Sequence, residues 1–67
     1  MTDEALTSIA GEIDAIAERL ADRSIELLRD ALRDATDPAA AATERIVTRA
    51  RRSLEKASSL LRGLDRG

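Results

Sequence analysis

Leu6, Ile9, Ile13, Ile16 and Leu20 recur at steps of three and four residues, the period that gathers side chains on one face of an α-helix. A strict continuation would put Arg23 and Asp30 on that face. A four-residue step instead carries it through Ser24, Leu27, Ala31 and Ala35, a stutter that locally unwinds a supercoil. A second stripe, Ala10, Ala17, Ala21, Ile25, Leu28 and Leu32, widens the face. Later in the chain Val47, Ala50, Leu54, Ala57, Leu61 and Leu64 keep the same helical steps, with Ile46, Ser53 and Leu60 beside them. Small side chains let helix axes approach closely, so Ala50 and Ala57 are expected to mark the tightest contact.

Between the two patterns stands Asp37-Pro38, the only proline. The residue before a proline is pushed out of the helical region, so the first helix should stop just ahead of it. Asp37 can then cap the second helix, with Pro38 at its first position. The prediction is an all-α, antiparallel two-helix hairpin forming a single domain over residues 1–67. Its helix 1 spans about 3–35, its turn about 36–38 and its helix 2 about 38–62. Gly63, after Arg62, suits a C-terminal cap, whereas Gly11 lies opposite the apolar face with no packing reason. Helices of about 50 Å and 40 Å set level those residue pairs whose numbers total about 74.

Composition then argues that the hairpin does not stand alone. Of the hydrophobic residues 13 are alanine, and bulk comes only from nine Leu, five Ile, Val47 and Met1. A chain this short sits near the limit at which one core outweighs chain entropy, and both apolar faces are too wide for a two-helix seam. Two hairpins pairing as a homodimer would close a four-helix bundle. The expected self-association core is Ile9, Ile13, Ile16, Leu20, Leu27, Leu28, Ile46, Val47, Leu54 and Leu61. The alternative is a non-catalytic helical subunit that completes its bundle with a different, unidentified protein.

Net charge is only −2, but it is unevenly spread. Residues 1–37 carry ten acids and four bases, net −6, whereas residues 38–67 carry three acids and seven bases, net +4. Arg45, Arg49, Arg52 and Lys56, at steps of four, three and four, form a basic stripe along helix 2 and a candidate partner-binding surface. The hairpin register offers them Asp30, Glu26, Asp22 and Glu18, so internal pairing is the first expectation. An acidic protein partner comes second and nucleic acid third. Absence of aromatic residues removes base-stacking platforms, and pI 5.0 argues against a general DNA binder. The run Arg49-Ala50-Arg51-Arg52-Ser53 resembles a basophilic kinase site, but Ser53 falls on the apolar flank, where access should be poor.

With no His and no Cys, nucleophilic triads, thiolate zinc sites and the Glu-x-x-His ligands of bundle di-iron centres are excluded. Asp30, Asp34 and Asp37 gather carboxylates near the turn, without the spacing of a calcium loop. Ile13-Asp14-Ala15-Ile16 with Leu20 and Arg23 resembles the first helix of the helical chorismate mutases. Ala10 and Ala17 replace the Arg and the second Asp of that family's motif, so no active site carries over. Glu44-Arg45 with Ala50, Leu54 and Ala57 is similar to the small subunit of exonuclease VII, with Ile46 where the usual Gly stands. The expectation is no catalytic, cofactor or metal site and no membrane span. The chain reads as a non-enzymatic, cytoplasmic interaction or assembly module that acts by self-association, with nucleic-acid binding through the stripe as the alternative.

Overall fold

A computed structural model describes residues 3–34 and 38–64. It contains two helices, α1 (Glu4–Arg33) and α2 (Ala39–Gly63), packed along each other, and no strand among the described residues. Asp3 caps α1 from an extended conformation (φ −91°, ψ 100°), its carboxylate accepting the Leu6 N–H at 3.1 Å. This satisfies one of the amide donors that every helix start leaves open. Glu4 in the first turn and Arg33 in the last complement the helix dipole. The Asp34 N–H closes α1 on the Asp30 carbonyl at 3.1 Å.

Ala35, Thr36 and Asp37, on which the expected turn and cap rest, lie outside the described residues. Pro38 takes the N-cap position of α2 instead of the first helical one, and its carbonyl accepts the Ala42 N–H at 3.0 Å. Gly63 differs from expectation in kind. It remains inside α2, and Leu64 after it is still right-handed (φ −63°, ψ −29°), so the left-handed glycine cap is not made. Around Gly11 a Cβ would meet nothing within 4 Å, and no close approach explains that glycine.

The helices meet through small residues. Ala10, Ala17 and Ser24, seven residues apart on α1, are buried with Leu27, and Ser58 is buried on α2. Ala50 is exposed and Ala57 only half-buried, so the expected point of closest contact is corrected. Polar bonding accounts for the difference. Ser24 Oγ bonds Glu44 Oε1 at 3.3 Å and lies 3.4 Å from Thr48 Oγ1, while Thr48 also donates to Glu44. Ser58 Oγ donates to the Ala10 carbonyl at 3.4 Å, and Arg62 donates to Asp14. Turning Glu44, Thr48, Ser58 and Arg62 toward α1 carries Ala50 roughly 80° away from the contact line at 100° per residue. The cross-helix partners run antiparallel with residue numbers totalling 68 to 76, around the expected register.

Candidate functional site

The hairpin has two unlike seams. Seen from its own N-terminus, each helix carries its bulky apolar residues counter-clockwise of the contact line. On α1 these are Ile9, Ile13, Ile16, Leu20 and Leu27, roughly 40–100° from Ala17. On α2 they are Leu54, Leu61, Ile46 and Leu64, roughly 40–120° from Ser58. The helices are right-handed and antiparallel, so both flanks face the same side and form one apolar face. Ile9, Ile16, Ile46 and Leu64 stay 44–66% exposed there, and Ile13, Leu20, Val47, Leu54 and Leu61 are half-buried. Of the expected core only Leu27 is buried within the chain. Leu28 is exposed and lies with Ile25 and Leu32 toward the other side, close to the Pro38 end.

The opposite seam is polar. Asp14, Glu18, Arg51 and Glu55 line a groove of about 270 Å³ floored by Ala17 and Ala21. Arg51 is half-buried in this seam, 3.6 Å from Glu55, with its Nε buried and unbonded. Arg62 reaches Asp14 across the helices, a pairing that helical spacing within one segment does not reveal. Ser58 and then Arg62, by hydrogen bonding and charge, hold the Asp14 carboxyl below the usual carboxylate range.

That depression has a sign. Because the folded value lies below the unfolded one near 4, the stabilisation from Asp14 is present above about pH 4 and fades as pH falls through the folded value. Asp14→Asn is therefore expected to melt earlier than the parent at pH 7 and to converge with it under acid. Thermal melts followed by circular dichroism across pH 2–7 would read this, and a gap that stays constant with pH would contradict it.

The basic stripe is not answered by α1. Among the described residues Arg45, Arg49, Arg52 and Lys56 make no ion pair, and all four are exposed. Of the carboxylates expected to meet them, Glu26 pairs with Arg23 and Asp30 with Arg33, both within α1. The reason is angular. The stripe lies about 120–180° around α2 from Ser58, turned outward from α1, so level register does not bring the charges together. Like charges at i,i+3 and i,i+4 along the stripe destabilise a helix by about 0.2–0.5 kcal/mol per pair. Ser53 is exposed, against expectation, and its hydroxyl bonds the Arg49 carbonyl at 3.1 Å.

No group of three or more carboxylates among the described residues could hold a metal ion, and Asp37 of the acidic trio lies outside them. No helix among the described residues is long and apolar enough to cross a membrane. Comparison of the chain with protein-family models, with curated proteins and with solved structures finds no match.

Proposed function

We propose that the chain is a non-enzymatic assembly module that works by self-association, two hairpins joining through their apolar faces into a four-helix bundle. The observation that carries this reading is the imbalance of burial. Among the described residues Ala10, Ala17 and Leu27 are the buried hydrophobic ones and no large side chain is fully enclosed, while Ile9, Ile16, Ile46 and Leu64 stand open on one side. So little enclosed bulk is a poor offset to chain entropy in a domain of this size.

A second copy is favoured as the covering partner on two grounds. On this face α1 is lined by bulky Ile and Leu, whereas α2 sets small Ala50, Ser53 and Ala57 among Ile46, Leu54, Leu61 and Leu64. A two-fold axis along the helices lays each α1 over the partner's α2, so that bulky residues of one chain meet the small positions of the other. At the observed register Leu20 then faces Ala50, and Ile13 faces Ala57. The same arrangement puts the acidic first half of one chain beside the basic second half of the other, which favours this pairing over like-with-like.

Light scattering over a micromolar concentration series, with far-ultraviolet circular dichroism on the same samples, tests the reading. The expected result is a helical species near twice the chain mass, losing helicity as dilution dissociates it. A monomer at every concentration would overturn self-association and turn attention to a different protein as the occupant of the apolar face.

A further inference from the structure

We propose that the stripe Arg45, Arg49, Arg52 and Lys56 is a docking surface for the phosphate backbone of duplex nucleic acid. The proposal stands independently of self-association, because the stripe lies on the far side of α2 from most of the apolar face. Its first support is that these four neighbouring cations make no ion pair among the described residues, whereas Arg23, Arg33, Arg51 and Arg62 each hold a carboxylate. Arg19 and Arg29, on α1, make none either, but they form no such row. The stripe instead sets Arg45 beside Arg49, Arg49 beside Arg52 and Arg52 beside Lys56, with no carboxylate interleaved at those positions. The acids nearest on α2 are engaged elsewhere, Glu44 with Ser24 and Thr48, and Glu55 with Arg51.

The second support is the chemistry around the stripe. It runs for 11 residues, about 16 Å of helix, flanked toward the polar seam by Ala41, Thr48 and Ser59 and on its other side by Ser53 and Leu60. A protein partner needs an apolar centre from which water is excluded, and a single exposed leucine beside the stripe, Leu60, supplies little of one. A row of phosphates needs none. It rewards closely spaced cations through counterion release, and small flanking residues leave four long basic side chains free to reach it. Arg at three of the four positions suits phosphate, since the guanidinium can engage its oxygens in bidentate fashion. With no aromatic residue to stack on bases, the contact would be to the backbone and indifferent to sequence, and although the whole chain is net −2 and acidic in pI, residues 38–67 that present the stripe are net +4.

Fluorescence anisotropy of a labelled random-sequence 30-base-pair DNA duplex, titrated with the full chain at 50 mM and at 200 mM salt, tests the proposal. Four phosphate contacts predict a log–log salt slope of about −3.6, so affinity should fall about 150-fold between the two salts. Arg49→Glu/Arg52→Glu should abolish binding at 50 mM while circular dichroism and molar mass stay those of the parent. Should that variant unfold, Arg49→Gln/Arg52→Gln replaces it, with an expected slope near −1.8. Absence of binding at 50 mM salt up to about 100 µM protein would overturn the proposal. So would binding unaffected by the substitutions in a folded variant, or tighter binding of a poly-glutamate peptide than of the duplex, which would mark the stripe as a site for an acidic protein.

Discussion

Ile16→Asp is expected to dissociate the assembly. Ile16 is 46% exposed in the single chain, so the hairpin's own packing loses little when it is changed. In the proposed bundle the same position is covered by the second copy. An aspartate there forfeits the apolar burial and must either lose its hydration without a partner or hold the interface open, at roughly 3 kcal/mol per chain. Two-fold symmetry doubles this to about 6 kcal/mol, roughly four powers of ten in the dissociation constant. Helicity should fall with mass, because among its described hydrophobic residues the single hairpin encloses only Ala10, Ala17 and Leu27. Ile16→Leu, which preserves volume, should retain the parent mass. A dimer that survives Ile16→Asp would reject the apolar face as the interface, and a stable helical monomer would show that folding does not depend on assembly.

Ala17→Leu should destabilise the protein although it adds apolar surface. Ala17 is 6% exposed at the line where the helices meet, one turn of the register from Arg51 and the groove it lines. A leucine there must either push the helices apart or turn into the groove that Ala17 floors and crowd Arg51, and overpacking of this kind costs about 1–3 kcal/mol. At about 4–8 °C per kcal/mol for a domain of this size, the melting temperature should drop by roughly 10 °C. Ala15→Leu, on the exposed side of the same helix, should change stability by no more than about 0.5 kcal/mol. An unchanged or higher melting temperature for Ala17→Leu would mean that the helices are not held together by close approach at small residues. Both variants are read by thermal and urea unfolding at fixed protein concentration, since an assembling chain melts differently at different concentrations.

The two-helix, all-α architecture was legible in the steps of Leu6, Ile9, Ile13 and Ile16 and of Val47, Leu54 and Leu61, because hydrophobic periodicity is a local property of the chain. So was the break near Pro38, whose ring restricts the residue before it wherever it occurs. The candidate surfaces were legible as stripes, since helical spacing alone puts Arg45, Arg49, Arg52 and Lys56 on one line. Which stripe would meet which was not. Level register suggested that Asp30, Glu26, Asp22 and Glu18 neutralise the basic stripe, but register fixes height along the axis and not rotation about it.

Rotation was decided by tertiary contacts between residues far apart in the chain. Ser24 with Glu44 and Thr48, Ser58 with the Ala10 carbonyl, and Arg62 with Asp14 turn α2 so that its polar edge meets α1 on one side. The angular consequence is that Ala50 and Ile46 swing to the open apolar face and the basic stripe to the exterior. The sequence by itself determined the helices, their order and the amphipathic character of each. Only the packed pair decided that the small residues Ala10, Ala17, Ser24 and Ser58 form the closest contact and that Arg51 is drawn into the polar seam. The bulky residues are thereby left on one face, because hydrogen-bonding groups at the contact lose too much if buried without partners, whereas apolar side chains can be covered by any suitable surface.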